Sequence, residues 1–167
     1  MNAGLFFSPQ GRITKSQFQT GAFVLIAISF VFGVLPAVIG GTALMAVSTI
    51  TTLIGLVMLW CWIALWVKRL HQGGITGWMT ILLALGWFFV NSIVGTVVTA
   101  VLAPDLMSME PSGDFMEMMQ QSMEASRAVA IPSAIASAVV SVLYVFVANA
   151  ALPSNEGENK FGPPPAA

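Results

Sequence analysis

The sequence predicts an all-α membrane protein whose four transmembrane helices form a compact bundle, with a further amphipathic helix in an outer loop. Of the 167 residues, 57% are hydrophobic and 8% are charged, and the mean hydropathy is +0.87, whereas soluble domains carry about 25% charged residues. A spanning helix needs about 20 apolar residues. Four segments reach that length, at about 21–39, 43–67, 78–102 and 128–152. Backbone groups in hydrocarbon must bond within their own segment, which favours helices.

This composition also excludes several classes of protein. So few charged side chains cannot cover a surface that faces water, which argues against a soluble enzyme and a disordered protein. The net charge of −1 gives no attraction to polyanions, so no nucleic-acid partner is expected. Cys61 is the single cysteine, which excludes an internal disulfide and a zinc-finger pattern.

Local signals define one membrane domain over residues 1–152. Thr14 and Gln17 have the spacing of a capping box, so the first helix is predicted to start near Thr14, and Pro36 is predicted to kink or end it. Residues 40–42 are predicted to form a tight turn. The outer loop, 103–127, is predicted to carry an amphipathic helix from Asp114. The proline-rich tail, 153–167, is predicted to be disordered and cytoplasmic.

The distribution of basic residues predicts the orientation in the membrane. Five of the six lie on one side of a four-span arrangement, and only Arg127 lies on the other. Because Lys and Arg accumulate in cytoplasmic loops, both termini are predicted to be cytoplasmic. A cluster of tryptophans, Trp66 among them, is predicted to lie at the same interface.

Polar residues inside the spans have two interpretations. Ser133, Ser137 and Ser141 form a stripe on the fourth span, and Asn91 lies near the middle of the third. Small residues let helices approach and hydroxyls bond across them, so helix packing is favoured. The alternative is the polar lining of a channel or transporter.

Six of the ten methionines lie in the outer loop. Thioethers suit Cu(I), so Met116, Met118 and Met119 are a speculative copper site. Adaptable packing is favoured, because no His or Cys accompanies them. No cofactor is predicted. Catalysis has no candidate beyond His71, the only histidine, so the chain is predicted not to be an enzyme.

Two segments on the predicted cytoplasmic side, at 7–18 and 68–78, resemble the signatures of a bacterial inner-membrane family, domain of unknown function 805. The first contains Gly11-Arg12, and the second contains Arg69-Leu70-His71 followed by Gly77-Trp78. The resemblance covers roughly half the chain, without the methionine-rich loop or the tail. It implies a small multi-span inner-membrane protein of no established activity. Gln72 stands where the family commonly has aspartate, so a carboxylate that could orient His71 is missing.

Function is predicted to be that of a non-enzymatic scaffold or accessory subunit, and the alternative is a small-solute transporter or channel component. The candidate binding residues are Arg12, Lys15, Lys68, Arg69 and His71. They could hold anionic lipid headgroups or the acidic surface of a partner, or they could only fix the topology. The expected partners are membrane lipids and either a membrane protein or further copies of the chain.

Overall fold

The computed structural model describes residues 3–39, 42–104 and 114–165. Over these residues the chain is helical and contains no strand. A short helix is followed by four long ones, each apolar and long enough to cross a membrane. The predicted all-α fold with four spanning helices is confirmed. The helices are α1 (Gly4–Phe7), α2 (Lys15–Val38), α3 (Thr42–Gln72), α4 (Thr80–Leu102, after a 3-10 turn at Gly77–Met79) and α5 (Phe115–Ala151).

Helix α2 begins as its local sequence predicts. The backbone N–H of Gln17 donates to Thr14 Oγ1 at 3.1 Å, and the backbone N–H of Thr14 donates to Gln17 Oε1 at 3.0 Å. This reciprocal pair satisfies two N–H groups at the helix start. The helix ends at Val38, two residues after Pro36.

The outer amphipathic helix and the fourth span are one continuous helix, α5, rather than two separate elements. It starts where Asp114 Oδ1 accepts the N–H of Met116 at 2.8 Å, as the predicted start indicates. No glycine or proline interrupts residues 115–131, and alanine favours helix there, so nothing ends the helix before the membrane. Pro132 lies inside it. Residues 40 and 41 of the predicted turn and residues 105–113 of the predicted outer loop lie outside the described residues, and Thr42 is the first residue of α3.

The bundle is open on one side. Helix α2 packs against α3 and α5, and α5 packs against α4, whereas α3 and α4 touch at few positions. The core lies near the ends of α2, α3 and α5, where Phe18 and Trp66 have ring centroids 4.4 Å apart. Trp66 is therefore a buried core residue and not part of an interfacial belt. The weak α3–α4 contact leaves a cavity between these two helices.

The tail is folded against the bundle over residues 153–165, which corrects the prediction of a disordered tail. Asn155 N–H donates to the backbone oxygen of Gln72 at 3.0 Å, and Asn159 Nδ2 donates to that of His71 at 2.9 Å. Asn159 and Gly162 bond to each other across a tight turn. Mainly polar contacts, and not the burial of apolar side chains, hold the tail against the bundle. A segment held in this way needs no apolar periodicity in its sequence.

Candidate functional site

All five predicted binding residues lie at one end of the bundle, which we call the cationic end, together with the last turns of α3 and α5 and the tail. Lys68 is 3% exposed and belongs to the last turns of α3. Its Nζ donates to the backbone oxygens of Gly4 at 2.7 Å and Leu5 at 2.5 Å. Gly4 O also accepts the backbone N–H of Ser8 at the end of α1, at 3.4 Å, so the ammonium gives this carbonyl a second donor. Lys68 therefore fastens α1 to α3.

Arg69 performs the same task for α5 and is fully buried, with 0% exposure. Its Nε donates to Asn149 Oδ1, and its Nη2 donates to the backbone oxygens of Asn149 at 3.1 Å and Leu152 at 2.8 Å. Its Nη1 donates to the backbone oxygen of Pro153 at 2.9 Å. A guanidinium fits this position because a helix end presents several orphan carbonyls and a partial negative charge.

Arg12 connects the N-terminal segment to the tail and is 7% exposed. Its Nε donates to Gln72 Oε1 at 3.0 Å, and its Nη1 donates to the backbone oxygens of Gly157 and Gly162, each at 2.8 Å. Its Nη2 donates to the backbone oxygen of Asn155. The tail thus curls around one guanidinium, which satisfies three of its carbonyls.

These three buried side chains, which we call the cationic cluster, use most of their donors inside the chain. Every acceptor that the structure gives them is a neutral carbonyl or amide oxygen. Arg12, Lys68 and Arg69 are therefore not presented to lipid headgroups or to an acidic partner surface. Lys15 is exposed, and His71 is half-buried. The cluster ties together the N-terminal segment, α3, α5 and the tail, a role that neither sequence-based interpretation anticipates.

Gln72 faces Arg12 and not His71. Besides accepting from Arg12, its amide Nε2 donates to the backbone oxygen of Asn155 at 2.9 Å. The family's aspartate at this position was interpreted as a group that orients the histidine. The geometry instead directs residue 72 toward the guanidinium and the tail, so the missing carboxylate does not affect His71.

His71 is held by two other contacts. Its Nδ1 lies 3.2 Å from the backbone oxygen of Gly11, and its ring stacks on Phe161 at a centroid distance of 3.8 Å and an angle of 8°. A carbonyl oxygen only accepts, so Nδ1 carries the proton and the neutral ring keeps Nε2 as an acceptor. Gly11 has φ +86°, a conformation that favours glycine. This requirement explains the glycine of the Gly11-Arg12 motif.

A cavity of about 830 Å³ separates α3 from α4 beside this histidine; we call it the α3–α4 cavity. His71, Gly77 and Thr80 lie along it together with Phe161 of the tail, and apolar side chains such as Ile63 and Leu85 form most of its wall. Thr80 is 6% exposed, and its Oγ1 has no hydrogen-bond partner in the part of the chain that the structure describes.

A second cavity, of about 640 Å³, lies at the centre of the bundle, and we call it the central cavity. It shares Leu59 and Trp87 with the α3–α4 cavity. Part of the predicted serine stripe is engaged here in helix packing. Ser137 Oγ donates to Asn91 Oδ1 at 2.7 Å, and Trp87 Nε1 donates to Ser141 Oγ at 3.0 Å. These bonds are the interhelical contacts that the packing interpretation predicts.

The methionines of the speculative copper site lie in the first turns of α5. Met116 and Met118 are exposed, and Met119 is half-buried. Residues two apart in a helix are about 200° apart around its axis and do not face each other. The thioethers of Met116 and Met118 therefore do not converge on one ion. Within residues 3–39, 42–104 and 114–165, no three His, Cys, Asp or Glu side chains come together as metal ligands.

Sequence reasoning missed three residues that shape this end of the bundle. Asn149 binds Arg69 and also donates from Nδ2 to the backbone oxygen of Lys15 at 3.3 Å. Phe161 covers His71, and Thr80 lies along the α3–α4 cavity. An amide near the end of an apolar span was a signal for Asn149. Phe161, alone among polar and proline residues in the tail, was a signal for a contact.

The fold and this end of the bundle define the class: a multi-pass, all-α membrane protein whose signature cations bind its own termini. The chain belongs to the family described as protein of unknown function DUF805, whose profile matches residues 6–163. The match extends through the tail, further than the half of the chain that the signature segments indicated. That extent agrees with the contacts between the tail and Arg12. No curated protein and no solved structure matches the chain.

Proposed function

We propose that this protein is a non-enzymatic accessory protein of the bacterial inner membrane that binds a membrane lipid in the α3–α4 cavity. In this proposal both termini and the cationic end face the cytoplasm, as the distribution of Lys and Arg predicts. The supporting observation is the cavity itself, which has an apolar wall and a polar end at His71. Such a shape suits a molecule with an apolar chain and a polar head.

The size and lining of the cavity suit a lipid. Its volume of about 830 Å³ lies within the range of small-molecule sites, roughly 300–1,000 Å³. Its wall is mainly apolar, and it is open to the surroundings of the helices, so an acyl chain can enter it from the side.

Lipid retention tests this proposal directly. The protein is extracted in a mild detergent, and bound lipid is counted by native mass spectrometry. Ala84 lies along the cavity, so Ala84→Trp is expected to fill it and to remove most of the retained lipid. Ile93→Trp, on an exposed part of α4 outside the cavity, is the matched control and is expected to retain lipid as the wild type does. Equal retention in both variants, or a protein partner that only Ala84→Trp displaces, would contradict a lipid site.

The topology has its own test. A reporter that is active only in the cytoplasm, fused after Ala167, is expected to be active, and a periplasmic reporter at the same position is expected to be silent. The opposite pattern would contradict a cytoplasmic cationic end while leaving the lipid site in place.

A small-solute channel is the second candidate, and the central cavity is the observation that favours it. Hydroxyls of Ser29, Thr51 and Ser133 lie along this cavity. Ser137 and Ser141 are engaged in bonds between helices, and the remaining wall is mainly apolar, which favours the accessory role. Stopped-flow swelling of proteoliposomes in glycerol tests the channel. We expect the proteoliposomes to swell at the same rate as empty liposomes. A faster swelling rate that Ser133→Leu abolishes would favour the channel.

A further inference from the structure

The cationic end carries positive charge that the chain leaves largely uncompensated. Its basic residues are Arg12, Lys15, Lys68, Arg69 and Lys160, and the carboxylates of the same region are Glu156 and Glu158. The cationic cluster donates only to neutral oxygens, and both glutamates are exposed. Buried charges with neutral partners keep their field, which is screened little compared with that of exposed charges. A ligand at this end is therefore favoured if it carries negative charge.

The polar end of the α3–α4 cavity is suited to hydroxyl groups. His71 Nδ1 is bonded to Gly11, and one ring face is covered by Phe161, so the ring edge at Nε2 is its remaining polar site. A Cβ at position 77 would lie 3.0 Å from Val67 Cγ1, 3.2 Å from Val67 Cγ2 and 3.4 Å from His71 Nε2, so Gly77 keeps space open between these two side chains. An unprotonated Nε2 accepts a hydrogen bond, which a ligand hydroxyl can donate and a phosphate oxygen cannot.

Thr80 lies along the same cavity, but its Oγ1 is enclosed by the protein and is not reached from the open space. His71 Nε2 is therefore the polar atom on which the recognition of a headgroup hydroxyl rests.

Lys160 lies at the rim of the cavity. Its Nζ is 5.0 Å from the ring centroid of Phe161, and Phe161 forms part of the cavity wall. The side chain is exposed and can turn toward an anion at the membrane surface. A positive charge at the rim and the acceptor His71 Nε2 further inside match a headgroup that carries both a negative charge and a hydroxyl.

We propose that the α3–α4 cavity binds an anionic phospholipid with a hydroxyl-bearing headgroup, the chemistry of phosphatidylglycerol. One acyl chain lies on the apolar wall, a headgroup hydroxyl bonds to His71 Nε2, and the phosphodiester lies near Lys160. This proposal rests on the proposed function, because it names the lipid that the same cavity holds.

The test compares three lipids in native mass spectrometry of the detergent-purified protein: phosphatidylglycerol, phosphatidylethanol and phosphatidylethanolamine. Phosphatidylethanol has the same phosphodiester charge as phosphatidylglycerol but no headgroup hydroxyl. We expect the wild type to retain phosphatidylglycerol about five- to tenfold over phosphatidylethanol, the ratio that one hydrogen bond gives. We expect phosphatidylethanolamine to be retained least.

Variants separate the two recognition elements. His71→Phe keeps a ring for stacking on Phe161 but removes Nε2, and Gly77→Ala keeps the imidazole but places a methyl group beside Nε2. Each is expected to reduce the preference for phosphatidylglycerol over phosphatidylethanol to about one. Lys160→Gln is expected to keep that preference and to reduce the preference for both anionic lipids over phosphatidylethanolamine.

The outcomes distinguish this inference from the proposed function. If the wild type retains all three lipids equally and Ala84→Trp still removes them, the headgroup assignment is wrong and the lipid site stands. If His71→Phe and Gly77→Ala both fold and keep the full phosphatidylglycerol preference, the headgroup assignment is also wrong. If no lipid is retained, or if Ala84→Trp changes nothing, the proposed function fails and this inference fails with it.

Discussion

Arg69 binds Asn149 at two points, because its Nε donates to the side-chain oxygen at 2.5 Å and its Nη2 donates to the backbone oxygen at 3.1 Å. The two residues are 80 positions apart, and both are buried in the described chain. This pair fixes the end of α5 to the end of α3. The signature arginine of the second segment therefore has an architectural role that its charge alone did not suggest.

Replacing Arg69 with lysine should destabilise the protein although the charge is kept. A lysine ammonium has three donors at one point and cannot reach acceptors that the guanidinium spans. Hydrogen bonds from charged groups contribute about 1.5–3 kcal/mol each, so we expect a loss of at least about 2 kcal/mol in the free energy of unfolding. Equilibrium unfolding in mixed micelles measures it. Lys15→Arg, at an exposed position, should change the value by less than about 0.5 kcal/mol. Equal stabilities would refute the proposed tie.

Arg12 should control the order of the tail. In Arg12→Met the carbonyls of Asn155, Gly157 and Gly162 lose the guanidinium donor, although Asn155 O still accepts from Gln72 Nε2 and Gly162 O from the N–H of Asn159. Hydrogen exchange of the peptide covering residues 153–162 is expected to accelerate at least about tenfold, the ratio for about 1.4 kcal/mol of lost protection. Exchange in α2 should stay as in the wild type. An unchanged tail would show that other contacts, such as the stacking of Phe161 on His71, are sufficient.

Some of this arrangement could be predicted because its causes are local. Thr14 and Gln17 are three residues apart, and the cap they form depends on no distant part of the chain. The four spans follow from apolar length alone, since hydrocarbon thickness fixes the number of residues required. The same reasoning located Asp114 at the start of a helix. This local reasoning could not show where that helix ends. Its start is marked by particular residues, whereas its continuation into the span depends only on the absence of glycine and proline.

The contacts of the tail could not be predicted, because most of their acceptors are backbone carbonyls. Arg12 bonds to Gly157 and Gly162 across more than 140 residues of sequence, and a carbonyl oxygen is the same on every residue type. A charge run on the predicted cytoplasmic side was therefore interpreted as a surface for lipids or partners. Only the folded structure shows that the guanidinium groups of Arg12 and Arg69 already donate to carbonyl oxygens of the chain. His71 and Lys15, whose side chains remain accessible, are the candidates for binding that the structure retains.

The bond between Asn91 and Ser137 should contribute measurably to the α4–α5 contact. Ser137 Oγ donates to Asn91 Oδ1 at 2.7 Å, and Asn91 Nδ2 donates to the backbone oxygen of Trp87 at 3.1 Å. Hydrogen bonds between helices in membranes contribute about 0.6 kcal/mol on average and up to about 1.7 kcal/mol. A double-mutant cycle with Asn91→Leu and Ser137→Ala should give a coupling energy in that range. A coupling energy near zero would show that this bond does not help to hold α4 against α5.

The effect of substituting Gly86 on stability should depend on whether residue 144 is tyrosine or phenylalanine. Tyr144 donates its hydroxyl to the backbone oxygen of Leu83 at 2.6 Å, and a Cβ at position 86 would lie only 2.9 Å from that hydroxyl. Gly86→Ala should therefore displace the hydroxyl, break its bond and destabilise the protein by about 1–2 kcal/mol.

In the Tyr144→Phe background the same substitution should be harmless or stabilising. The ring carbons Cε2 and Cζ lie 3.7 Å from the added Cβ, which is ordinary contact distance. With the hydroxyl gone, the intrinsic preference of helices for alanine over glycine, up to about 1 kcal/mol, should determine the result. Unfolding of the two single variants and the double variant in the same micelles measures this reversal of sign. If Gly86→Ala destabilises both backgrounds equally, the clash involves another neighbour, and the close approach of α5 to α4 at this glycine does not depend on the tyrosine hydroxyl.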